Sequence, residues 1–119
     1  MSKIIYKICP IELWQQAEAK GEFTGAPIDI QDGYIHFSTA EQSVETAAKH
    51  FSGQTDLYLI AVDADKLGAE LKYEVSRGNA LFPHLYATLK MDAVIWVKPL
   101  PLGDDGVHIF PKLDGSDDT

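Results

Sequence analysis

Asp32-Gly33-Tyr34-Ile35-His36-Phe37-Ser38-Thr39-Ala40-Glu41-Gln42 changes its periodicity partway along. From Tyr34 to Ser38 the residues alternate, so Ile35 and Phe37 share one face of a strand and Tyr34, His36 and Ser38 share the other. Two overlapping capping boxes follow, Ser38 with Glu41 and Thr39 with Gln42, and mark the start of a helix. Val44, Ala47, Ala48 and Phe51 then recur at helical spacing as its expected buried stripe, and Gly53 marks its end. A strand with a polar, aromatic face thus runs straight into a helix.

The flanking segments give the same mixed pattern. Upstream, residues 3–8 read as a first strand, and Pro10 and Gly21 bracket a helix that turns Leu13, Trp14 and Ala17 inward. Residues 21–33, with three glycines and Pro27, read as a loop covering part of the fold. Downstream, the apolar run Leu57–Val62 has the length of a central strand covered on both faces. Leu71–Val75, His84–Leu89 and Ala93–Lys98 follow as strands, with Val107–Phe110 as a short edge. The expectation is one α+β domain over residues 1–111 with two short helices, followed by an acidic tail at 112–119.

Composition narrows the function classes. The 119 residues are 45% hydrophobic and carry a net charge of −8. Residues 103–119 hold five of the acids and a single base, Lys112, so much of that charge is local. An acidic body without a Lys/Arg cluster argues against DNA, RNA or anionic lipid as partner. No apolar run approaches the roughly 20 residues that span a bilayer, and the N-terminus lacks the pattern of a secretory signal. Cys9 has no second cysteine to pair with, which fits a reducing compartment, and the expected location is the cytoplasm. At the start of a helix its thiol could be activated, although a buried, inert cysteine is the plainer reading. No zinc, calcium, Rossmann, P-loop or nucleophile-elbow pattern occurs, so no metal is expected.

Candidate site residues come from the strand faces. On His84–Leu89, alternation sets Leu85, Ala87 and Leu89 against His84, Tyr86 and Thr88. Two strands therefore each present a tyrosine, a histidine and a hydroxyl in one row, as suits a cleft holding a planar ligand. His36 and the Phe82–Tyr86 segment should meet in that cleft, with ring atoms within about 10 Å. A hydrogen-bonded sheet face without a ligand is the plainer alternative, and a lone histidine on a strand is more often structural. Arg77, the single arginine, is the candidate for a bidentate anion clamp, against the plainer reading of a turn residue. Ser38 and Thr39 could hold a phosphate at the helix N-terminus. His50 and His108 are expected to have no functional role.

The block from Asp32 to Gln42, with Leu71-Lys72-Tyr73-Glu74 and Phe82-Pro83-His84-Leu85-Tyr86, resembles a small bacterial family known as domain of unknown function 952. The resemblance runs from Ile5 to Leu100. That family looks like a divergent branch of the ADP-ribosyltransferase fold, a split antiparallel sheet around a cleft for the nicotinamide dinucleotide. The resemblance implies a nucleotide-like ligand, with NAD as substrate rather than resident cofactor. It places Lys7 at the first-strand position held elsewhere by His or Arg, and His36 at the second-strand position. The late-strand position, where a Glu holds the ribose hydroxyl in the glutamate-dependent branch, falls in His84–Leu89, which has neither Glu nor Arg. His36 and Glu74 are the catalytic candidates on this reading, with Lys7, Ser38, Thr39, Arg77, Phe82, His84 and Tyr86 as ligand-binding ones. The competing expectation is a non-catalytic ligand-binding or interaction module that kept the cleft and lost the acid.

Overall fold

A computed structural model describes residues 3–76 and 80–113. The chain forms β1 (Ile4–Pro10), α1 (Ile11–Lys20), β2 (Glu22–Phe23), α2 (Pro27–Asp32), β3 (Ile35–His36), α3 (Ala40–His50) and β4 (Leu57–Asp63). After two short 3-10 turns come β5 (Leu71–Val75), β6 (Leu81–Leu85), β7 (Leu89–Lys90) and β8 (Val94–Pro99). All pairings are antiparallel. One sheet has the order β1-β4-β8 and another the order β3-β6-β5, while β2 and β7 form a small ribbon. The two larger sheets meet where Tyr6 and Ser38 exchange backbone hydrogen bonds, each 2.8 Å.

The run Leu57–Val62 behaves as its composition dictates. It lies in the central strand β4, and its alternate residues enter two different cores. Ile60 and Val62 join Ile5, Cys9, Trp14, Phe23, Ile35 and Leu85, whereas Leu57, Leu59 and Ala61 join Tyr6, Ile8, Ala47 and Leu100. Trp14 and Ala17 of α1 belong to the first core, while Ala40 and Ala47 of α3 belong to the second. Each fully buried Leu, Ile or Val contributes roughly 1.5–3 kcal/mol, so this strand is the main anchor of the fold. Helix α1 is stopped by Gly21, whose φ of 90° lies in the left-handed region that glycine adopts without strain.

Several expectations change on folding. Residues 21–33 are not a loop: they hold β2 and α2, so the described residues contain three α-helices rather than two. The strand expected at His84–Leu89 instead spans Leu81–Leu85, running through Pro83. The Pro83 carbonyl accepts from Phe37 N–H on the β3 side, at 3.0 Å. Its missing N–H faces that same side, at the end of the two-residue β3, so pairing with β5 continues undisturbed. The chain then bends at 86–88, which leaves Ala87 exposed instead of on the apolar face. On α3, Val44 is 51% exposed and Ala48 is exposed too, because the helix rolls toward small residues and buries Ala40, Ser43 and Ala47 against β1. Val107–Phe110 makes one bridge, Leu102 with His108, rather than a strand. His108 is buried and its Nε2 donates to the Gln54 carbonyl at 2.8 Å. Phe110 and Leu113 pack on the second core, so the domain extends past residue 111, and residues 114–119 of the acidic tail lie outside the described residues.

Only one of the two capping boxes closes. Thr39 is the N-cap of α3: its hydroxyl accepts from Gln42 N–H at 3.3 Å, and Gln42 Oε1 accepts from Thr39 N–H at 3.0 Å. Removing the cap hydroxyl in Thr39→Ala is expected to lower stability by about 1 kcal/mol, read as a lower urea midpoint.

Candidate functional site

Helix α2 organises one half of the site. Pro27 at its first position supplies the φ a helix needs and lacks the N–H that would go unpaired. Asp29, two residues on, turns back to accept from Ala26 N–H at 2.8 Å. Gly33, at φ 89°, closes the helix with its N–H on the Asp29 carbonyl. This short turn plants the Asp29 carboxylate in the interior, at 1% exposure.

Asp29 there meets two basic side chains. Lys7 of β1, itself 6% exposed, lies 2.9 Å from Oδ2 and 3.1 Å from Oδ1. His36 of β3 donates to Oδ1 through its backbone N–H at 3.1 Å and through Nδ1 at 2.6 Å. Burial pushes the Asp29 carboxyl pKa up, but the hydrogen bonds from His36, Lys7 and Ala26 and the charge of Lys7 outweigh it and hold it at about 2. The other ring nitrogen of His36, Nε2, lies 3.0 Å from Asp32 Oδ2 at the end of α2.

The second half stands on β5 and β6. Cross-strand partners share a face, so His84 and Phe82 of β6 lie beside Lys72 and Glu74 of β5, and His36 lies opposite His84 on β3. His84 is 3% exposed, and its Nδ1 meets Glu74 Oε1 at 2.8 Å. The same oxygen accepts from the Tyr86 hydroxyl at 2.7 Å. Those two hydrogen bonds lower the Glu74 pKa, and the Glu74 hydrogen bond raises the Tyr86 phenol to about 12. Tyr34 joins the halves: its ring stacks on His84 with centroids 4.2 Å apart and touches His36 at 4.7 Å and Tyr86 at 5.2 Å. The His36 and His84 rings lie 5.5 Å apart, edge to face.

These groups border a cleft of about 680 Å³ at the junction of the two sheets. Lys7, His36, Ser38, Phe82 and His84 line it, together with Ile28 and Asp32 of α2 and Thr46 and Phe51 at α3. Glu74 and Tyr86 are not on its wall; they stand behind His84, with Tyr86 42% exposed. Thr39 is occupied as a helix cap and is not part of the lining, whereas Ser38 lies there with its hydroxyl 3.0 Å from that of Thr46. Arg77 lies outside the described residues. Cys9 is buried, and burial pushes its thiol up to about 12, the state of an inert cysteine.

Sequence reasoning missed Asp29 and Asp32 and gave Tyr34 no specific role. Pro27 followed by Asp29 and closed by Gly33 is a start-and-stop pattern that could have revealed α2. Six residues are too few for periodicity to do so. Among the described residues, no group of His, Cys, Asp and Glu side chains is placed to hold a metal ion, and no helix is long and apolar enough to cross a membrane.

Fold and site together define a small α+β domain in which antiparallel sheets enclose a histidine-lined cleft. The chain belongs to the family described as Protein of unknown function (DUF952), whose model matches residues 8–97. It is similar to the Caulobacter crescentus protein CC0527. The crystal structure of that protein is 49% identical, with a TM-score of 0.86 over 89% of this chain and 93% of the other. Its solution NMR structure is 50% identical, with a TM-score of 0.79 over 87% of this chain and 90% of the other. No curated protein matches the chain.

Proposed function

We propose that this protein is a nucleotide-binding, transferase-like enzyme of ADP-ribosyltransferase-like fold, acting on NAD or an ADP-ribose derivative. The observation that carries the reading is the convergence of Lys7 from β1, His36 from β3, directly before α3, and His84 from the late strand β6 on one cleft. That is the order of contributions the family resemblance implies. The cleft volume of about 680 Å³ suits a ligand of nucleotide size. In this reading Phe82 and the His36 ring flank the planar base, and Ser38 meets a hydroxyl. Asp29 holds His36 in place from behind.

One observation favours a second reading, a binding module without chemistry. No described residue of β6 supplies a carboxylate, and both Asp29 and Glu74 are engaged by protein partners. A thermal-shift series with NAD, ADP-ribose and mononucleotides tests both readings. At about 100 times its dissociation constant, the right ligand stabilises by roughly 2.7 kcal/mol, a rise in Tm of roughly 10 °C for a domain of this size. Release of nicotinamide from NAD then separates enzyme from module. No shift with any nucleotide would remove the nucleotide reading.

A further inference from the structure

The two histidines at the centre of the cleft are built differently. Both ring nitrogens of His36 face carboxylates, Asp29 at Nδ1 and Asp32 at Nε2. Such a ring is held in place, with no lone pair turned to a ligand. His84 has one carboxylate, Glu74 at Nδ1, and its Nε2 meets no partner among the described residues. A neutral imidazole carries one proton, and an acceptor at Nδ1 places it there, leaving the Nε2 lone pair as the base. Tyr34 stacks on the ring and His36 packs against it edge to face. Glu74 is itself oriented by the Tyr86 hydroxyl. Base, orienting carboxylate and a further hydrogen-bonded group thus form a line ending at the cleft wall. His50 also lines the cleft, but from the exposed last turn of α3 and with no orienting carboxylate among the described residues.

We propose that His84, and not His36, is the proton acceptor of this cleft, and that its Nε2 deprotonates a water or alcohol hydroxyl attacking the ribosyl C1′ of an NAD-like substrate. The inference rests on the nucleotide reading above and names the acceptor class. The acceptor oxygen forms the new bond to C1′ as its proton passes to His84 Nε2. The C1′–N bond breaks, and its electron pair neutralises the pyridinium of the departing nicotinamide. The imidazolium then returns its proton to solvent. Glu74 is a positioning residue, holding the tautomer without touching the substrate.

Long-range 1H–15N NMR of the imidazoles, nicotinamide release from NAD in water and in water–methanol, and ADP-ribose affinity together test this step. In the parent, His84 is expected as the Nδ1–H tautomer, and methanol is expected to yield the methyl glycoside beside the hydrolysis product. His84→Gln should cut release by about 100-fold or more while ADP-ribose affinity stays within about threefold. Glu74 lies toward the surface, so Glu74→Gln keeps the test alive if the buried His84 variant fails to fold. It should cut release by about tenfold and mix the His84 tautomers, which a merely structural role would not do. An Nε2–H tautomer in the parent, or parental release rates in folded variants, would overturn the proposal. So would ADP-ribose binding without any nicotinamide release, which leaves nucleotide binding intact. Absence of ADP-ribose binding in the parent would remove the nucleotide reading, and this step with it.

Discussion

Asp29→Ala is expected to lower the unfolding free energy by about 3–5 kcal/mol, the cost of leaving a buried charge without its partner. Lys7 would remain at 6% exposure with no counter-charge, and the backbone N–H groups of Ala26 and His36 would lose their acceptor. Replacing both charged groups, as in Lys7→Met with Asp29→Leu, should recover most of that loss, since an apolar pair of similar volume removes the unpaired charge. The double variant would still lack the group that holds His36, so ligand response should not return with stability. Urea unfolding of the three proteins checks this. A single variant within 1 kcal/mol of the parent would show that Asp29 is not the keystone of the cleft.

The same carboxylate sets an acid limit. Its folded pKa of about 2 lies below the ordinary aspartate value of 3.8, so its contribution is present above about pH 4 and is lost as pH falls toward 2. The contribution is on the order of 2 kcal/mol, less than the cost of deletion because a protonated Asp29 still fills its space. In Asp29→Ala this part of the acid dependence should disappear, flattening the stability profile between pH 4 and 2 relative to the parent.

His36→Ala is expected to reduce turnover by about 100-fold, the scale on which misplacing a bound substrate by about an ångström acts. In the module reading the same variant weakens ligand binding, and no turnover exists to lose. The stability cost should be about 1–3 kcal/mol, from one charge-assisted hydrogen bond, because the His36 backbone N–H, Ala26 and Lys7 still satisfy Asp29. That separates His36 from Asp29: one variant chiefly disables the cleft and the other chiefly destabilises the fold. Denaturant midpoint and ADP-ribose thermal shift, measured on His36→Ala, check both halves. A destabilised variant with an unchanged ligand shift would make His36 a scaffold residue.

Strong local signals carried through to the structure. Pro10 and Gly21 bracket α1, the Thr39–Gln42 box opens α3, and alternation around His36 sends Ile35 and Phe37 inward and His36 and Ser38 to the cleft. Each depends on residues within one or two turns of one another. Leu57–Val62 could be read as a doubly covered strand because its composition leaves no polar face for solvent.

What local reading could not supply was partnership across the fold. Nothing near residue 29 in the chain announces that its carboxylate will lie beside Lys7, 22 residues away. Nor does alternation along one strand say that Glu74 will stand behind His84, since that depends on the register of β5 against β6. That β6 runs through Pro83 was equally out of reach, because a proline is tolerated in a strand only where its missing donor faces no partner, a condition set by where β3 ends. The roll of α3 was likewise settled by close packing on β1, which admits Ala40, Ser43 and Ala47 and turns Val44 outward. The sequence by itself determined an α+β domain with a His/Tyr-bearing strand face and the family to which the chain belongs. Only the tertiary structure decided which histidine is tied at both nitrogens and which keeps one open, because hydrogen-bond partners are chosen by distance in space and not along the chain.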